Sequence, residues 1–119
     1  MILYVLDDDY TETALWRTLC HTHYPSICVR TFNNPKDFIE AIAFAPPSGA
    51  VIDLVIPFYT GSDICKWIHE NYPSVSLYVN TGLQGDEFKV LAEICGAEFL
   101  SKSTPILERI EVVANGCKS

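Results

Sequence analysis

Residues 2–13 read ILYVLDDDYTET, and the fold follows from how this stretch is divided. Ile2–Leu6 is a short apolar run of the kind that forms a strand covered on both faces. Asp7, Asp8 and Asp9 come directly after it, and a segment of helical spacing then begins, with Thr11 as the expected cap and Leu15, Thr18 and Leu19 on one face. Adjacent like charges repel, and a carboxylate beside a core is costly to desolvate. The three aspartates read either as a solvated turn and helix cap or as part of a site completed from elsewhere in the chain.

The same alternation recurs four more times. Further apolar runs lie at Ile27–Phe32, Ala50–Ile56, Val75–Val79 and Glu98–Ser101. Helical candidates separate them: Phe38, Ala41 and Ile42 after Asn34-Pro35, and Ile64, Trp67 and Ile68 after Ser62. Phe88, Leu91 and Cys95 form the next, stopped by Gly96, and Ile106, Ile110 and Val113 follow Thr104-Pro105. Strand–helix alternation implies an α/β domain with a parallel sheet and helices on both faces. Right-handed crossovers then favour a doubly wound, flavodoxin-like sheet of order 2-1-3-4-5 flanked by five helices. Residues 1–119 contain no linker or repeat and read as a single domain.

Composition narrows the function. A net charge of −7 argues against direct nucleic-acid binding, which needs clustered Lys and Arg. No apolar run is long enough to cross a bilayer and no signal-peptide pattern opens the chain, so a soluble, cytoplasmic protein is expected. Five cysteines, none in a C-x-x-C pair, fit reduced thiols filling a core. Cys20, His21 and His23 sit close together, but no second ligand pair follows at zinc-finger spacing, and the histidines fit the exposed end of a helix.

In a parallel sheet all the carboxyl ends of the strands share one edge, and the crevice opens there at the switch point. The first strand brings Asp7 and Asp8 to that edge, the third Asp53, the fourth Thr81-Gly82 and the fifth Lys102. Taken singly, Thr81-Gly82 is a turn, Lys102 a surface lysine and Asp53 a hydrogen-bonded structural acid. Together they gather complementary charge at one place.

This constellation resembles the receiver domain of two-component response regulators, over the whole chain. Asp7-Asp8 match the acid pair after the first strand and Asp53 the phosphoacceptor, with Pro57 four residues on and Gly61 eight on. Thr81 stands at the Ser/Thr position, Lys102 at the lysine and Phe99 at the switch aromatic, within "GAEFLSKS". The resemblance implies a Mg2+ site formed by Asp8, Asp53 and the Val55 backbone carbonyl, with Asp7 acting largely through water. Magnesium suits such a place, because it takes oxygen ligands and keeps several waters. Asp53 would accept a phosphoryl group as an acyl phosphate, with Lys102 and Thr81 neutralising its oxygens. Thr81 and Phe99 would then switch the face made by the fourth helix, fifth strand and fifth helix. The implied partners are a sensor histidine kinase or phosphotransfer protein, an output module C-terminal to this domain or separate from it, and a second copy in a phosphorylation-dependent homodimer. On this reading the chain is a phosphorylated signalling domain in a phosphorelay rather than an enzyme acting on others.

Three features depart from the usual pattern. Ser103, not proline, follows Lys102, with Pro105 two residues later; Phe99 replaces a frequent tyrosine; and the positions two beyond Asp53 and Thr81 are the apolar Val55 and Leu83. The last feature leads to an expected long-lived phosphoryl state, since neither side chain can orient a hydrolytic water. Two rival readings stay open. Asp7, Asp9 and Thr11 also fit the D-x-D-x-T motif of haloacid-dehalogenase-type phosphohydrolases, with Asp7 as nucleophile. That reading gives Asp53, Pro57 and Gly61 no task. The other is a degenerate receiver that serves as a dimerisation module.

Overall fold

Successive residues of a strand face opposite ways, and in strand β1 (Ile2–Leu6) both directions are apolar. Leu3 and Val5 enter one core, while Tyr4 and Leu6 enter another. A computed structural model describes residues 1–56 and 59–117 of the chain. In it, β1 is joined by β2 (Cys28–Phe32), β3 (Gly49–Ile52), β4 (Ser76–Thr81) and β5 (Ala97–Ser101). All five pair in parallel in the order β2-β1-β3-β4-β5, which is the doubly wound arrangement expected from the alternation.

Five helices cover this sheet: α1 (Tyr10–His23), α2 (Pro35–Phe44), α3 (Gly61–Asn71), α4 (Asp86–Ile94) and α5 (Ile106–Gly116). Trp16 and Cys20 of α1 pack with Ile110 and Val113 of α5 on the Leu3, Val5 and Val51 face. On the other face Phe38 and Ile42 of α2, Ile64 and Ile68 of α3 and Ala92 of α4 meet Tyr4, Leu6, Ile52 and Val79. Tyr4, Phe32 and Phe38 meet edge to face there, with ring centroids 5.2 to 6.5 Å apart, the geometry that aromatic quadrupoles favour.

The ends of the elements are where local chemistry overrides periodicity. Asp9, rather than Thr11, caps α1: its carboxylate accepts the Thr11 N–H at 2.9 Å, so the helix starts one residue before Thr11. Thr60 caps α3 through the Asp63 N–H at 3.3 Å. Asn34-Pro35 opens α2 as expected, with Asn34 Oδ1 accepting the Lys36 N–H. Gly96, at φ +73°, ends α4 in the left-handed region that glycine enters without steric cost. The apolar run 50–56 splits. Strand β3 stops at Ile52, Asp53 and Leu54 leave the sheet, and Val55–Ile56 pairs antiparallel with Tyr59–Thr60. Pro57 lies outside the described residues.

Cys20, Cys65, Cys95 and Cys117 are buried and Cys28 is exposed, all as free thiols. His21 and His23 are exposed in the last turn of α1. Among the described residues no helix is long and apolar enough to cross a membrane.

Candidate functional site

Three segments leave the carboxyl edge of the sheet close together. The backbone fixes them: Asp7 N–H donates to Phe32 O, Asp53 N–H to Leu6 O, and Lys102 N–H to Thr81 O, at 2.8 to 3.0 Å. These bonds continue the ladder past the strands and set the positions of the side chains that follow. Asp7, Asp8 and Asp53 thereby bring one carboxylate oxygen each within 4.8 Å of one another.

The lysine completes the cluster. Lys102 Nζ stands 2.7 Å from Asp7 Oδ2 and 3.4 Å from Asp53 Oδ2. Asp7 Oδ2 is buried, and although the ammonium is near enough for an ion pair, it lies off the line of an aligned hydrogen bond. Asp53 Oδ1 accepts the Val55 N–H at 3.2 Å, leaving Oδ2 towards Lys102. Asp8 is exposed, at the open side of the crevice.

Burial dominates the electrostatics. It raises the Asp7 carboxyl to about 6, against the opposing pull of Lys102 and of the Asp9 N–H. Asp53 is likewise raised by burial, partly offset by the Val55 N–H and by Lys102. For Lys102 burial acts downward, but Asp7 and Asp53 outweigh it and hold the ammonium above its ordinary value. One cation set against two of three clustered carboxylates leaves an excess of negative charge, which a divalent ion would neutralise. All three ligands are hard oxygens and Asp8 faces solvent, a donor set that fits Mg2+ with part of its water shell retained.

Thr81 ends β4 and is buried, its hydroxyl accepting the Leu83 N–H at 3.1 Å. Phe99, half-buried on β5, lines two shallow cavities of about 250 Å3 each. One is shared with Leu83, Gly85 and Lys89, the other with Glu108 and Val112. Gly61 explains itself at this point. A Cβ there would overlap the Asp53 carbonyl oxygen and the Leu54 Cα, so only glycine lets α3 start against the Asp53 backbone.

Two features complicate the D-x-D-x-T reading. Asp9 is occupied in capping α1, with Thr11 exposed on the first turn, and Asp53 sits with Asp7 in the cluster. A second set of polar residues was not legible in the sequence. Glu12, Asn80 and Arg109 are buried together just beneath the site, with Arg109 bridging the other two. Each comes from a different element, so no spacing along the chain joins them. The one local signal is Glu12 four residues before Trp16, whose indole N–H donates to it at 3.3 Å.

No protein-family model matches this sequence, and no curated protein matches it. Solved structures do. The response regulator DrrB of Thermotoga maritima, described as an OmpR/PhoB homologue, superposes with a TM-score of 0.85 at 23% identity. The match covers 96% of this chain and 51% of that one, so this chain spans about half of DrrB. The receiver domain of Francisella response regulator 1452 gives 0.87 at 21% identity, covering 96% and 93%. A CheY-like receiver domain protein of Methanospirillum hungatei gives 0.86 at 16%, covering 96% and 90%. The chain has the fold of response regulator receiver domains.

Proposed function

We propose that this chain is a phosphoacceptor signalling domain that receives a phosphoryl group on Asp53. The observation that carries the reading is the cluster itself: three carboxylate oxygens within 4.8 Å, with one ammonium set against two of the acids. A purely structural arrangement would balance its buried charge, and this one does not.

Asp7, Asp8 and Asp53 would hold Mg2+, with the Val55 carbonyl as a further ligand. The ion would supply charge neutralisation and bring the phosphoryl group to the acids. An Asp53 carboxylate oxygen attacks phosphorus and forms the P–O bond of an acyl phosphate. The bond from phosphorus to the donor breaks, and its electron pair leaves with the donor. Where the donor is the phosphohistidine of a sensor kinase or phosphotransfer protein, that bond is P–N. The Val55 N–H holds Asp53 Oδ1 in place during the attack. Lys102 stays charged and moves from carboxylate to phosphoryl oxygen, since transfer of this kind depends on positioning and charge stabilisation. The Thr81 hydroxyl exchanges its bond with the Leu83 N–H for the phosphoryl group, and the cavities flanking Phe99 give that ring room to follow. Phosphorylation would so bias two arrangements of the face made by α4, β5 and α5, and present it to an output module or a second copy of the chain.

The experiment is to treat the chain with acetyl phosphate and Mg2+ and to map the acyl phosphate by mass spectrometry. Modification at Asp53, absent in Asp53→Asn, is expected. Modification at Asp7 would favour the phosphohydrolase reading, and none at any acid would favour a dimerisation module that has lost phosphorylation.

A further inference from the structure

Arg109 is an expensive residue to keep. Its guanidinium is buried on α5 and ion-paired with Glu12 of α1, which is buried too. Removing two charges from water costs several kcal/mol per ion, and apolar residues of like volume commonly serve stability as well or better. Burial pulls the Glu12 carboxyl up, yet the bonds from Arg109 and Asn80 outweigh it and keep Glu12 ionised, below its ordinary value. Stability alone does not account for the group, so its location has to.

That location is the junction of three segments that carry the site. Arg109 Nη1 donates to Glu12 Oε1 at 2.5 Å and to Asn80 Oδ1 at 2.7 Å, while Nε donates to the Thr104 carbonyl at 3.0 Å. Glu12 lies in the first turn of the helix that follows Asp7 and Asp8. Asn80 directly precedes Thr81, and Thr104 lies two residues after Lys102. Asn80 also donates to Glu12 at 3.1 Å, which closes the triangle.

The loop needs such an anchor. Ser103 follows Lys102, so no proline ring fixes the backbone there. The loop is closed on itself by Thr104 N–H to Ser101 O and Ser103 N–H to Ser101 Oγ, at 3.0 and 3.2 Å. Lys102 itself is tied to β4 through its N–H to the Thr81 carbonyl at 2.8 Å, but beyond it these local turns hold Ser103 and Thr104 only to Ser101. We propose that Arg109 is a positioning residue that fixes the spacing between the Thr81 hydroxyl and the Lys102 ammonium, the pair that receives the phosphoryl oxygens. The planar fork donates in several fixed directions at once, which a lysine ammonium at the same place cannot reproduce. The proposal rests on the phosphoacceptor reading above.

The test compares Mg2+ binding alone with beryllofluoride binding in the presence of Mg2+, a phosphoryl mimic, in the wild-type chain, Arg109→Lys and Glu12→Gln. The Trp16 indole N–H resonance, assigned in a Trp67→Phe background, reports whether the network persists. Arg109→Lys is expected to weaken beryllofluoride about tenfold, the worth of one well-placed hydrogen bond to a charged group. Its Mg2+ affinity should stay within about twofold, because the acids themselves are untouched. Glu12→Gln keeps the bonds to Asn80 and Thr104 and is expected to bind the mimic nearly as the wild type does. Should Arg109→Lys fail to fold, the neutral double variant Arg109→Gln with Glu12→Gln replaces it, with the same split expected. Equal loss in Arg109→Lys and Glu12→Gln, parallel loss of Mg2+ and mimic, or wild-type affinity in Arg109→Lys would each overturn the positioning role. A wild-type chain that ignores beryllofluoride would instead remove the phosphoacceptor reading beneath it.

Discussion

Lys102 sits 2.7 Å from Asp7 and 3.4 Å from Asp53, so one ammonium ties the end of β5 to acids that follow β1 and β3. In the metal-free protein it partly does the work of a cation. Lys102→Ala therefore has opposite effects on the two ligands. Mg2+ binding should tighten roughly tenfold, since a competing charge a few ångströms away is gone. Beryllofluoride binding should be lost, since the group proposed to meet the phosphoryl oxygens is gone as well. Titration of both ligands checks this, and Mg2+ affinity unchanged or weaker would show that the lysine does not compete for the acids.

The raised Asp7 carboxyl makes metal-free stability depend on pH in an unusual sense. Folded Asp7 titrates near 6, while the unfolded group titrates near 3.8. Between these values the folded chain holds a proton that the unfolded chain has released, so stability falls as pH rises through the window and levels off above it. The contribution is on the order of 3 kcal/mol, and Asp53, also raised, acts in the same direction. Glu12 is lowered from 4.5 and so acts the other way, in a window below that pH. Urea denaturation without divalent ions at pH 4.5 and pH 7 should give the higher midpoint at pH 4.5. Asp7→Asn should flatten the difference and stabilise the chain at pH 7. A midpoint that climbs with pH would contradict the burial of Asp7.

Gly61 is held to glycine by the Asp53 carbonyl, which a Cβ would overlap. The obstacle is backbone, and it cannot swing aside as a long side chain would. Gly61→Ala should cost about 1 to 3 kcal/mol through the forced shift and should slow phosphorylation at Asp53 beyond the effect of stability alone. Chemical denaturation and the acetyl phosphate rate measure the two effects separately. Full stability with full rate would mean that α3 and Asp53 are not in such close register.

The strand order and the acid cluster were legible because both follow from periodicity. Five apolar runs separated by helical segments fix a parallel sheet, and a parallel sheet sends Asp7, Asp53, Thr81 and Lys102 to one edge whatever the details of the loops. The element ends were less legible, because a cap depends on which side chain reaches a free N–H: Asp9 reached it before Thr11. The difference in burial within the acid pair was also harder to read. Asp7 is the buried acid in contact with Lys102, and Asp8 is the exposed one. Burial is a property of the packed neighbours, and two adjacent aspartates look alike in a sequence. The Glu12–Asn80–Arg109 group escaped for the same reason, since Glu12 and Arg109 lie 97 residues apart.

Val55 and Leu83 give the last prediction. Each uses its backbone N–H to hold the site, Val55 to Asp53 Oδ1 and Leu83 to Thr81 Oγ1, and each carries an apolar side chain. Val55 is 58% exposed, so its side chain lies outside the core. A water attacking the acyl phosphate must be oriented and partly deprotonated, and neither side chain offers an acceptor for that task. Val55→Asn and Leu83→Glu keep the backbone bonds and add a polar group. Phosphorylation by acetyl phosphate should therefore persist, while loss of label from the isolated phosphoprotein in Mg2+ should quicken by about tenfold, less than the roughly hundredfold that a fully positioned general base contributes. Decay in the unmodified chain should extend well beyond seconds. Rapid decay there, or decay untouched by both substitutions, would mean that water reaches Asp53 by a route these side chains do not guard.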